Sequence, residues 1–91
     1  MKTVFLHLLK KIYKMESLIK RITVNADICH GKPTIRNMRY PVEMIMELLS
    51  SGMTWKEIMK DFPAIVEDDI RACLLYATKL SRVKTIHKVF A

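Results

Sequence analysis

Three short constellations in this chain hold the residue types that chemistry needs, and each fails on spacing. Cys29 and His30 would make a thiol–imidazole pair, but sequence neighbours point different ways and no third group orients the imidazole. His30-Gly31-Lys32 resembles a phosphate loop only superficially, because the glycine pattern and the following Ser or Thr of such a loop are missing. His7, His30 and His87, with the distant Cys29 and Cys73, offer no zinc-ligand spacing. No catalytic residue, metal or cofactor is expected, and the chain reads as a binding protein rather than an enzyme. What remains is cationic chemistry. Lys32, Arg36 and Arg39 sit on one loop-strand segment and Arg71 lies on a later helix, and such side chains can grip phosphates. The alternative for Arg36 and Arg39 is simple pairing with Glu43 or Glu47.

Charge and cysteine content narrow the class further. The 91 residues carry a formal charge of +7, which suggests an anionic partner. The excess sits at the two ends. Residues 1–21 hold six basic residues against Glu16, residues 22–66 hold five of each sign, and residues 67–91 hold five basic against three acidic. Basic ends also serve solubility, so the inference stays open at this point. Two well-separated cysteines are no disulfide framework and suit free thiols in a reducing cytoplasm. The apolar stretch Val4–Leu9 is too short for a signal-peptide core or a membrane span.

The elements that must position these residues follow from periodicity and breakers. Phe5, Leu8, Leu9, Ile12 and Tyr13 recur at helical spacing, with Lys10, Lys11 and Lys14 on the other side, so the first segment is a basic amphipathic helix. It would pack on the domain or on a second copy; a membrane-surface role is the other option. Met15 is an alternative start, which would leave residues 1–14 outside the protein. Ile22–Asn25 alternates and is β-branched, predicting a strand. His30–Pro33 is a turn, Thr34-Ile35 and Met38–Tyr40 look extended, and a two-stranded ribbon is expected between 22–25 and 38–40. Pro41 should open a helix buried through Val42, Ile45, Met46 and Leu49, with Gly52 as its left-handed cap. Thr54 and Glu57 form a T-x-x-E capping box for the next helix, which Pro63 stops. A third helix from about Glu67 to Leu80 should bury Ile70, Cys73, Leu74, Ala77 and Leu80. Residues 81–91 either continue it or fold on a partner. The fold expected is mostly α, a helix-turn-helix three-helix core with a short two-stranded β-ribbon. Three parts are expected: a basic amphipathic extension (1–17), the helix-turn-helix domain (18–80) and a basic tail (81–91).

The order of particular residues is more specific than this pattern. Arg21–Val24, Cys29–Arg36 and Arg39–Val42, followed by Leu48-Leu49, Gly52–Thr54, Glu57-Ile58, Asp61–Pro63 and Asp69–Arg71, resemble the signature of the small bacterial proteins called domain of unknown function 433. The likeness covers about residues 18–80. It departs at Asn37-Met38, where the family tends to have Gly-Thr, and at Val66, where it tends to place a Ser or Thr cap. Asn37 tolerates positive φ almost as glycine does, so the turn should survive. Glu67, Asp68 and Asp69 would partly offset the missing cap.

The resemblance implies a helix-turn-helix fold and an antitoxin-like role beside a PIN-like ribonuclease toxin, and the function expected is an antitoxin that neutralises this nuclease and binds its own promoter. In the helix-turn-helix reading, Thr54–Phe62 positions and Glu67–Leu80 reads, although three carboxylates at the start of a reading helix repel phosphates. Lys32, Arg36, Arg39 and Arg71, from two copies of a homodimer, are the residues expected to contact DNA. PIN-like nucleases hold metal ions with clustered carboxylates, so Arg82, Lys84 and Lys88 would insert there while Leu80, Val83, Ile86 and Phe90 bury against the toxin. The alternative, favoured by the neutral middle of the domain, is a protein-interaction adaptor without DNA affinity.

Overall fold

The computed structural model describes the backbone of residues 2–90 and the side chains of residues 3–82. The first segment is helical, as its periodicity predicts, over Lys2–Ile19 (α1). Strand β1 (Ile22–Val24) follows, then a one-turn 3-10 segment at Cys29–Gly31, strand β2 (Pro33–Ile35), and helices α2 (Val42–Ser50), α3 (Trp55–Asp61) and α4 (Glu67–Phe90). The molecule is a helix-turn-helix three-helix core, α2 to α4, carrying a two-stranded antiparallel ribbon and flanked by α1, which packs on α4.

The ribbon differs from expectation in its second strand. Ile22 pairs with Ile35, Thr23 with Thr34 and Val24 with Pro33, so the partner of β1 is 33–35 and not 38–40. The cause is local. Cys29, His30 and Gly31 all have positive φ (49°, 57° and 79°), which reverses the chain before Lys32 and brings β2 back at once. A second left-handed pair, Arg36 and Asn37, then turns the chain again, with the Met38 N–H donating to Ile35 O at 2.8 Å. Positive φ at both central residues is what a type I′ turn requires. Tyr40 and Pro41 consequently lie along the far side of β2, where the Ile35 N–H donates to Tyr40 O and Thr34 bridges Pro41. Asn37 does adopt the conformation that a glycine would take.

Local chemistry accounts for the helix boundaries. Pro41 is the N-cap of α2 and not its first residue, one position earlier than expected. At the other end Gly52 (φ 100°) donates to Leu49 O and Met53 donates to Leu48 O, the paired bonds of a Schellman cap. The Thr54–Glu57 box closes in both directions, at 3.1 and 3.2 Å. Phe62, held before Pro63 at φ −126° and ψ 80°, ends α3. Helix α4 continues along 81–90, the first of the two options the sequence left open.

Ile35, Ile45, Ile58, Ile65 and Ile70 are fully buried and form the centre with Val42 and Cys73. Each such side chain contributes about 1.5–3 kcal/mol by leaving water. Ile70 and Cys73 are buried as expected, but Leu80 is 44% exposed and Leu74 and Ala77 are only half-buried, because the core ends near Tyr76 while α4 runs on. Among the described residues no helix is long and apolar enough to cross a membrane.

Candidate functional site

The start of α4 gathers two of the four basic candidates, Arg36 and Arg71, and Asp69 is its centre. Its carboxylate is fully buried and accepts four hydrogen bonds. Oδ1 takes Arg21 Nη1 and Arg36 Nε, both at 3.0 Å; Oδ2 takes Arg36 Nη2 at 2.8 Å and the Val66 N–H at 3.0 Å. Burial pushes this carboxyl up, but the bonds from Arg36, Val66 and Arg21 outweigh it and hold the group below the ordinary carboxylate value. The bond from Val66 is also the returning half of a capping box; the other half, a side chain at Val66, is missing, and the Asp69 N–H donates to Val66 O at 3.0 Å instead.

Arg36 is therefore a structural fork. Besides its two bonds to Asp69 it donates to Ala64 O at 2.8 Å, tying the left-handed turn at 36–37 to the α3–α4 turn. Arg71 is held at both ends of its guanidinium, by Glu67 at 2.8 Å and Asp68 at 3.4 Å, and lies 5.4 Å from the Trp55 ring centroid in a cation–π contact. Lys32 pairs with Glu43 at 2.6 Å, and that hydrogen bond and charge raise its pKa. Pairing occurs for Arg36, as the alternative reading held, but with Asp69 and not with Glu43 or Glu47. Of the four residues expected to contact DNA, only Arg39 is exposed with no ion pair or side-chain hydrogen bond among the described residues.

The acidic first turn changes meaning in this arrangement. Glu67, Asp68 and Asp69 face Arg71, Arg21 and Arg36, with Arg21 also 3.9 Å from Asp68. Three carboxylates against three guanidinium groups leave a patch that is close to neutral. It neither repels a phosphate strongly nor attracts one.

The second feature of the surface is apolar and was not legible as a site in the sequence. A groove of about 580 Å³ opens between α2 and α4, floored by Val42, Met46, Tyr76, Ala77 and Leu80 and edged by Glu43, Glu47 and Lys32. Of the residues expected to bind a toxin, Leu80 stands at its end and Arg82 is exposed. Val83, Lys84, Ile86, Lys88 and Phe90 lie outside the residues whose side chains are described. Helix α1 adds a further uncovered surface: Val4, Phe5, Leu6, Leu8, Ile12 and Tyr13 are each more than half exposed.

The buried thiol of Cys73 is inert. Burial first, and the Asp69 carboxylate second, push it up to about 12. Cys29, half-buried on the left-handed turn, is also a free thiol.

A family described as protein of unknown function (DUF433) matches residues 22–77 of this sequence. The chain belongs to the DUF433 family. The matched stretch begins at β1 and ends in α4, so it holds the ribbon, the three-helix core and the Asp69 cluster, and leaves α1 outside. The chain is also similar to a DUF433 member protein from Anabaena variabilis known from its crystal structure, at 23% identity over 86% of each chain with a TM-score of 0.63. At that identity the likeness carries the DUF433 fold alone. None of the curated proteins compared with the chain matches it.

Proposed function

We propose that this chain acts by binding another protein, in the antitoxin-like role that its sequence resemblance implies, with a PIN-like ribonuclease as the partner. One observation carries the reading. The cations best placed to hold a nucleic acid are tied to carboxylates of the same chain, whereas large apolar side chains on α1, and Leu80 on α4, stand uncovered. Exposed apolar clusters of this kind mark protein contacts more often than nucleic-acid contacts. Leu80 and Arg82 begin the segment that would meet the nuclease, with the apolar and basic residues of 83–90 completing it. Arg82, Lys84 and Lys88 would neutralise the metal-holding carboxylates of such an enzyme.

The test is a ribonuclease assay on a PIN-like protein encoded beside this chain. Full-length chain should inhibit it stoichiometrically, and a chain truncated at Ser81 should not. An uninhibited nuclease, or equal inhibition by the truncated chain, sinks the assignment of this segment.

Promoter binding is the second reading, favoured by the helix-turn-helix order of α3 and α4 and by Arg39, which is exposed with no ion pair among the described residues. Fluorescence anisotropy against the chain's own upstream DNA and a scrambled duplex decides it. A preference above about a hundredfold, within the range of specific readers, supports a repressor. Equal weak binding to both leaves an adaptor without sequence recognition.

A further inference from the structure

Two uncovered apolar surfaces of this chain complement each other. One is the α2–α4 groove. Its α2 wall, from Val42 to Ser50, is about 12 Å long at 1.5 Å per residue. The other is a stripe on α1. Val4, Phe5, Leu8, Ile12 and Met15 are 47–65% exposed, and at 3.6 residues per turn all five fall within an arc of about 100°. Phe5 to Ile12 spans about 10 Å, so this stripe matches the groove in length. The charges match as well. Lys11 and Lys14 border the stripe along one edge and are exposed. Glu47 borders the groove and has no ion-pair partner among the described residues, and Glu43 beside it shares only Lys32.

We propose that α1 of one copy seats in the α2–α4 groove of a second copy, and reciprocally, giving a two-fold dimer. Each chain carries both the knob surface and the hole, which is what an isologous interface needs. The contact would cover the apolar residues on α1 that stand exposed among the described residues, and it would give Glu47 a direct ion pair. A chain of this size gains a second core by pairing in this way. The inference draws on the same uncovered side chains of α1 and Leu80 as the nuclease reading, but it is tested on the chain alone, with no nuclease present.

Light scattering after gel filtration of the full chain, at micromolar concentration, should give twice the 10.7 kDa chain mass. Leu8→Glu and Glu47→Lys alter side chains that are exposed in the single chain, on the two sides of the contact, so both variants should keep the wild-type circular dichroism while their melting temperature falls to that of the monomer. Each should weaken the dimer at least about tenfold, and mixing Lys11→Glu with Glu47→Lys should recover mixed dimers. In a Cys29→Ser background, a Leu8→Cys chain oxidised with a Met46→Cys chain should cross-link much faster than two Leu8→Cys chains do. A monomeric wild type overturns the proposal. So does a dimer that survives both substitutions, or cross-linking with no preference for the Leu8–Met46 pair.

Discussion

The first turn of α4 and the outer length of α1 are both rich in charge, and they use it in opposite ways. At the start of α4, Glu67, Asp68 and Asp69 meet Arg71 of the same helix, Arg21 before β1 and Arg36 after β2, and among the described residues no buried side-chain nitrogen or oxygen lacks a partner. On α1, Lys10, Lys11 and Lys14 lie beside exposed apolar residues with Glu16 as the nearest acid in sequence. A formal charge of +7 does not distinguish these regions. Function follows from which cations are already spent: the junction is closed and holds the fold, and the arm is open.

The most severe way to break that contrast is at its buried anion. Asp69→Ala removes the acceptor for two arginines and for the Val66 N–H. Breaking a buried pair costs about 3–5 kcal/mol, and the partial exposure of Arg21 and Arg36 places this variant near the lower limit. Urea melts would measure it; a loss under about 1 kcal/mol would mean that the junction is not holding α4 in place.

Titration sharpens the same point. A carboxyl whose pKa falls on folding stabilises the fold while ionised. That contribution is complete above the ordinary value of 3.8 and is lost as pH drops through the lower folded value. Wild-type stability should therefore fall as the pH drops below the ordinary carboxyl value of 3.8, and Asp69→Asn should flatten that limb. An unchanged acid limb would assign the acid loss to other carboxyls.

Smaller effects are expected away from the buried anion. Thr54→Ala opens one half of a solvent-exposed capping box and should cost about 1 kcal/mol. On the open arm, Phe5→Glu should leave the melting temperature of the isolated monomer unchanged, since Phe5 is 64% exposed. A large loss from that substitution would remove the distinction between junction and arm.

The parts of this molecule that were legible in the sequence are those set by neighbours. Gly52, the Thr54–Glu57 box and Pro63 each act within one helical turn, so the helix boundaries follow from a few adjacent residues. Asn37 belongs with them, because its positive φ is a property of one residue and one turn. The strand register was not legible, since it depends on left-handed Cys29 and His30, two residue types with no strong preference for that conformation. Asp69 was legible only as one of three acids near a helix dipole. Its partners lie 48 and 33 residues earlier, and sequence spacing cannot reveal which of three adjacent carboxylates points inward. The groove needs α2 and α4 side by side, which is why Leu80 read as core and stands at a surface opening.

The buried thiol of α4 gives this chain its own clock for breathing motions. Cys73 contributes almost no thiolate at neutral pH while the core is closed. A thiol reagent therefore modifies it only in molecules that have opened, at a rate set by how often α4 lifts from the isoleucines beneath it. Once Cys29 has reacted or been replaced by serine, the slow phase of labelling reads that opening frequency directly, with no probe attached and no denaturant added.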